Sequence, residues 1–238
     1  MKIGFVFFGI IYGLGGRTGS LRDFRHCWPN LKQMLIDPFV EKGHEVKIYF
    51  SGYEFDDKEI EKEFYDLIKP HAVVLSSFKN SNPFTAKYSS FNCFEHDDND
   101  VIIFTRSDAH WSRILANENI DLTKFNFLFP EKGWWQTEYK FTCDNLYIWP
   151  REMTKNVRSA MKDTYAWPRG EPLVDTHGLM VKLEQYVSSE DIHLISTEEE
   201  LSDVNSFYTC CRSGLPDREC MHFEVRDRYN KENWKYYI

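Results

Sequence analysis

The chain has 238 residues, a formal net charge of −8 and a sequence pI near 5.5. That length allows a sizeable buried core, in one large domain or two small ones. The acidic balance excludes a general nucleic-acid binder, which needs a basic face, but a few arginines, backbone amides or a metal can still bind phosphates locally.

The first twelve residues, Met1 to Tyr12, are mostly apolar. An apolar run of only about ten residues is too short to span a bilayer. Gly13-Leu-Gly-Gly-Arg17 follows instead of a small-residue cleavage site, so neither a signal peptide nor a membrane span is expected, and the location is expected to be cytoplasmic. Ile3 to Ile11 is predicted as the first buried strand. Gly13 to Gly19 then reads as a Gly-rich turn carrying Arg17, either a plain tight turn or a place where backbone approaches a ligand. The N-terminus of the next helix favours anions. Leu21 to Val40 is predicted as that helix, with Pro29 as a break or kink and Gly43 beyond its end. Glu45 to Phe50 is the second strand, running into Ser51-Gly-Tyr53.

The opening therefore reads as strand, Gly-rich turn, helix, strand, the first unit of a nucleotide-binding α/β fold. Two fingerprints fail. There is no G-K-[ST], and Thr18 stands where the third Gly of G-x-G-x-x-G belongs. The second strand also lacks the acidic residue that would meet a ribose.

Asp56 to Ile68 reads as a helix with Phe64, Leu67 and Ile68 on one side. Ala72 to Phe78 is the third strand, Lys79 to Pro83 a loop, and Thr85 to His96 a further helix. Ser112 to Asn117 is a short helix and Phe125 to Phe129 a strand. Trp134 and Trp135 form an aromatic pair at a turn, a sugar-stacking platform or half core. Leu146 to Trp149 is a strand preceded by Asp144 and Asn145, and Pro150 leads into a helix over Arg151 to Met161. His177 to Val187 reads as a helix, Ile192 to Ile195 as a strand, and Phe207 to Arg212 as the last core strand. Met221 to Ile238 is a charged, aromatic strap. No repeat or linker divides the chain. Six cysteines (Cys27, Cys93, Cys143, Cys210, Cys211, Cys220) share no regular spacing. They read as reduced, mostly buried thiols, and the Cys210–His222 region lacks the paired spacing of a zinc site.

The stretch with most chemistry is Asp100-Val-Ile-Ile-Phe-Thr-Arg-Ser-Asp-Ala-His-Trp111. Val101 to Phe104 is a continuous apolar run that suits a central strand. Arg106, Asp108 and His110 follow at once. In an open α/β sheet, ligands bind at the carboxyl ends of strands. In extended chain, Asp108 and His110 project to the same side, so a carboxylate and an imidazole can grip one divalent cation.

The order of these motifs carries a resemblance: strand one with Gly13 and Arg17, the segment around Arg22 to Asn30, Ile48 to Tyr53, Asp100 to Asp108, and Cys143-Asp-Asn-Leu-Tyr-Ile-Trp-Pro-Arg151. Over residues 1–212 the chain resembles small GT-A-type glycosyltransferases, especially those of large algal DNA viruses. The resemblance implies a single α/β domain with a mixed sheet flanked by helices. Residues 1–111 would form a Rossmann-like nucleotide-sugar half, and residues 112–238 an acceptor half with the C-terminal strap. It implies a nucleotide-sugar donor, UDP-sugar favoured over GDP-sugar, and a glycan or glycoprotein acceptor in viral glycan synthesis. It also implies manganese, or less readily magnesium, on Asp108 and His110, with His177 or His222 as third ligand. Gly13, Arg17, Ser51, Tyr53 and Arg106 would line the donor, and Asp144 would act near the acceptor. Two other readings stand beside it: an NAD(P)-dependent oxidoreductase, from the N-terminal unit, and a non-enzymatic carbohydrate-binding protein, from the Trp and Tyr content.

Overall fold

Runs of β-branched and aromatic residues make strands here because their side chains pack well on a pleated, covered surface. The computed structural model describes residues 1–15, 20–77, 83–128, 145–166, 179–196 and 207–210. In chain order these form β1 (Lys2–Phe8), β2 (Tyr12–Gly15), β3 (Ser20–Asp23), α1 (Phe24–Leu31), a widened π-type segment (Lys32–Ile36), α2 (Asp37–Glu41), β4 (Glu45–Tyr53), α3 (Lys58–Ile68) and β5 (Ala72–Ser76). There follow α4 (Pro83–Ser89), α5 (Phe91–Phe94), β6 (Val101–Arg106), β7 (Ala109–Trp111), β8 (Phe125–Phe127), β9 (Leu146–Pro150), α6 (Thr154–Ala166), α7 (Leu179–Leu183), β10 (Ile192–Leu194) and β11 (Tyr208–Cys210).

Seven strands make the central sheet, in the order β10-β8-β9-β6-β1-β4-β5. Strand β9 runs antiparallel to both neighbours, while the β1–β4, β4–β5, β1–β6 and β8–β10 pairs are parallel. The protein is thus an α/β fold with a mixed sheet. Two successive strands, β4 and β5, extend the sheet to one side of β1. The chain then returns to lay β6 on the other side of β1. This reversal is the topological switch point of the sheet, and in such folds the crevice at the strands' carboxyl ends there is the ligand site.

Both faces of the sheet are covered, so central strands are apolar without alternation. Ile3, Phe5 and Phe7 of β1 join Val101 and Ile103 of β6 on the face covered by α1, α2 and α3. Val6, Phe8, Ile102, Phe104, Tyr147 and Trp149 share the other face with Phe91 and Phe94 of α5, Val157 and Ala160 of α6 and Leu183 of α7. Aromatic rings carry much of this packing. Phe50 lies 5.1 Å from Phe7 and 5.0 Å from Phe64, and Trp149 stacks on Phe125 at 5.8 Å. Each such ring contributes roughly 1.5–3 kcal/mol by leaving water.

The structure corrects the sequence reading at several points. Strand β1 ends at Phe8, not Ile11, while β4 runs on to Tyr53. Gly13 to Gly15 of the predicted Gly-rich turn belong to β2, which pairs antiparallel with β3, so that Gly13 faces Arg22 and Tyr12 faces Asp23. Leu21 to Asp23 therefore belong to a strand, and the helix begins at Phe24. Helix α1, the π-type segment and α2 continue one another. Pro29 and Pro38 lie on either side of the widened turns, and each removes an N–H from the ladder. The helix predicted over Thr85 to His96 is two short ones, α4 and α5. Strand β11, predicted in the core sheet, pairs antiparallel with β7 in a separate ribbon. No helix among the described residues is long and apolar enough to cross a membrane. Cys27 is a buried cysteine and Cys93 a part-buried one. Burial pushes the Cys93 thiol up to about 11, and its Sγ donates to the Phe50 carbonyl at 3.3 Å.

Candidate functional site

Strands β1 and β6 end side by side, with Phe8 in register with Arg106. A two-residue turn, Ser107-Asp108, then leads from β6 into β7. The turn is pinned to the end of β1: the Ser107 N–H donates to the Phe8 carbonyl at 2.9 Å, and its Oγ donates to the Ile10 carbonyl at 3.3 Å. Gly9 has φ +117°, a conformation that disfavours a side chain, and its N–H donates to the Ser51 carbonyl at 3.0 Å. A Cβ on Gly52 would come within 2.8 Å of the Gly9 carbonyl oxygen. This close approach draws the β1–β2 connection over the end of β4.

Asp108 stands at the centre of this corner and is only 4 % exposed. Arg106 grips it with two bonds, Nε to Oδ1 at 2.7 Å and Nη2 to Oδ2 at 2.7 Å. From β3, Arg22 adds a third, Nε to Oδ2 at 3.1 Å. Arg22 is itself 3 % exposed. Forked guanidinium–carboxylate bonds are the strongest and most directional of protein ion pairs. A third cation lies at the same strand ends. The Lys87 ammonium sits 4.6 Å from the Phe8 ring centroid and 5.5 Å from that of Tyr147, a cation–π arrangement inside a buried region.

Strand β7 is held from two sides. Asn30 near the end of α1 acts like a strand partner: its Oδ1 accepts from the Trp111 N–H at 2.6 Å and its Nδ2 donates to the Trp111 carbonyl at 2.9 Å. On the other side Thr209 of β11 is in register with His110. His110 is half-buried.

The other predicted donor-site residues fall as follows. Gly13 lies in β2 opposite Arg22, with φ +116°. Ser51 is fully buried, and its hydroxyl donates to the Ala86 carbonyl at 2.6 Å, tying β4 to α4. Tyr53 is buried at the end of β4. The first helix does not offer its N-terminus to an anion. Asp23 caps it, accepting the Arg25 N–H at 3.0 Å and the Arg25 guanidinium at 2.5 Å. Burial raises the Asp23 carboxyl, but the hydrogen bonds from Arg25 outweigh it and hold it below the ordinary range. Arg17, Asp144, His177, His222, Trp134 and Trp135 lie outside the described residues. Asn145, next in sequence to Asp144, is buried at this same edge of the sheet, where its carbonyl accepts from Thr105 Oγ1 at 2.7 Å.

The structure thus brings together Arg106, Asp108 and a residue that the sequence reading passed over, Arg22. An arginine inside a predicted helix gave no signal; alternation in β3 would have, had the hairpin been recognised. Both oxygens of Asp108 already accept from guanidinium groups. Among the described residues no cluster of three His, Cys, Asp or Glu side chains could hold a metal ion. As placed, Asp108 and His110 do not fit a divalent clamp: a cation at the Asp108 oxygens would lie against two guanidinium charges.

No protein-family model matches the chain, and no curated protein matches it.

Proposed function

We propose that the chain is a glycosyltransferase that moves a sugar from a nucleotide-diphosphate sugar, UDP-sugar favoured and GDP-sugar second, to a glycan or glycoprotein acceptor. The observation that carries this reading is the Arg22–Asp108–Arg106 cluster, with Arg22 and Asp108 buried and Arg106 part-exposed, at the switch point of the sheet. A crevice at that point is where doubly wound sheets take nucleotides, and forked guanidinium groups match phosphate oxygens. The mixed sheet agrees with the fold that the resemblance to GT-A enzymes implies.

In this reading the bond between sugar and diphosphate breaks as the acceptor hydroxyl attacks. Negative charge grows on the departing diphosphate, and preorganised arginine donors stabilise it without reorganising. Asp144 is the candidate base for the acceptor hydroxyl, a role that rests on the resemblance. The NAD(P)-dependent alternative is weakened by the hairpin β2–β3. It separates β1 from α1, so among the described residues the first strand does not lead directly into a helix N-terminus that could take a pyrophosphate.

The test is turnover of UDP- and GDP-sugars with glycan acceptors. Nucleotide release is expected from the wild type, and Arg106→Ala is expected to lower kcat by about 10²–10³. Unchanged turnover in that variant, or a melting temperature raised by NADPH and by no nucleotide sugar, would overturn the assignment.

A further inference from the structure

We infer that Asn30 is a positioning residue for the proposed reaction, acting through strand β7 to fix the side on which the His110 imidazole stands. This rests on the reading of the corner as a nucleotide-sugar site. Three observations carry it.

The first is the rotation of β7. Ala109 and Trp111 are both fully buried and pack in the core on the α1 face of the sheet. Alternate side chains of a strand take opposite faces. His110, between them and half-buried, therefore faces away from that core. It is the only ionisable side chain that β7 carries.

The second is how that rotation is held. Strand β7 has three residues, and among the described residues its one ladder partner is β11, also three residues long. A two-stranded ribbon of this size is marginal without further support. Asn30 supplies support from outside the ribbon. Its Oδ1 accepts the Trp111 N–H at 2.6 Å, and its Nδ2 donates to the Trp111 carbonyl at 2.9 Å. One side chain thus pairs both main-chain groups of Trp111, as a third strand would.

The third is where that support is placed. Asn30 lies in the last turn of α1, where alanine or leucine would favour the helix more. Its amide serves β7 and not the helix. Both bonds reach 81 positions along the chain, to the strand that begins directly after Asp108. Helix α1 therefore fixes β7 where the chain leaves the switch point. Without the amide, β7 can roll about its axis. A displacement of about 1 Å is enough to cost roughly 10²-fold in rate when a group must meet a reacting atom. Asp108 keeps its own three guanidinium bonds in such a variant, so the disturbance is confined to β7.

The experiment is a double-mutant cycle on sugar transfer from UDP- and GDP-sugars to glycan acceptors, with wild type, Asn30→Ala, His110→Ala and the double variant. All four are assayed where circular dichroism shows them folded. Asn30→Ala is expected to lower kcat about tenfold or more, with the donor KM within about threefold. His110→Ala is expected to lower kcat at least as far, and the double variant no further than His110→Ala alone. The urea midpoint is the control: loss of the two amide bonds should lower it equally in either background. Asn30→Asp, which retains the bond from the Trp111 N–H, replaces Asn30→Ala in the cycle if that variant does not fold. Losses in kcat that multiply across the cycle, or wild-type kcat in either single variant, would overturn the inference and leave the donor assignment standing. Absence of transfer by the wild type from every donor would overturn both.

Discussion

The two ends of the central sheet each carry a knot of charged residues, and they are built in opposite ways. At the carboxyl end, Arg22 and Asp108 sit inside the protein, and the part-exposed Arg106 grips Asp108 with a forked pair of bonds. At the amino end, Lys2 and Lys47 both pair with Asp98, and His71 lies 3.2 Å from Asp97. Here Asp98 is 54 % exposed. Hydrogen bonds from Lys2, then Lys47, hold its carboxyl below the ordinary range. Water and salt screen this second knot, so it adds solubility more than structure. The contrast teaches that an ion pair acquires a directional role when water is excluded. Guanidinium groups gripping a buried carboxylate keep one orientation, while ammonium groups around an exposed carboxylate sample many.

Removing one partner from the buried knot is the strongest test of this contrast. Asp108→Asn removes a carboxylate charge that is 4 % exposed and takes three guanidinium N–H bonds, and should destabilise the protein by about 3–5 kcal/mol, measured by urea denaturation. If it proves as mild as Asp98→Asn, the two ends do not differ in the way described.

A sharper test lies under the exposed knot, where one buried network persists. The Tyr49 hydroxyl donates to Asp97 at 2.6 Å and accepts from Asn99 Nδ2 at 2.9 Å. Asn99 is 1 % exposed, and its carbonyl oxygen has no partner among the described residues. Burial, then the bond to Asp97, raises the Tyr49 phenol above its ordinary range. Tyr49→Phe strands the Asn99 amide and should cost about 1–3 kcal/mol by the same denaturation measurement. A neutral outcome would place that amide in contact with solvent.

The smallest effect is expected at Asp98. Asp98→Asn should leave the urea midpoint unchanged at physiological salt. Because the folded carboxyl titrates below the unfolded one, any contribution it makes at low salt exists above about pH 4 and fades as the pH falls. A wild-type advantage that grew on acidification would contradict the direction of that shift.

Local pattern determined much of this protein. The apolar runs over residues 3–8, 45–50, 72–76, 101–104 and 146–149 are strands, and the placing of Asp108 just beyond a buried strand holds. Such readings succeed because side-chain periodicity and β-branched or aromatic content act within a few residues. The α/β class followed from the alternation of strands and helices, and the mixed sheet from the resemblance. Tertiary structure decided what no short window contains. The pairing of β2 with β3 drew Gly13 to Gly15 into a strand and made Arg22 a strand residue. The pairing of β11 with β7 took a predicted core strand out of the sheet. Both depend on contacts between segments whose own propensities are weak, so register and burial were set by the partner. The site shows the same division. Asp108 and Arg106 are two residues apart and legible together, whereas Arg22 reaches Asp108 across 86 positions. The chain order alone places Asp108 at a strand end, and the fold decides which charges face it.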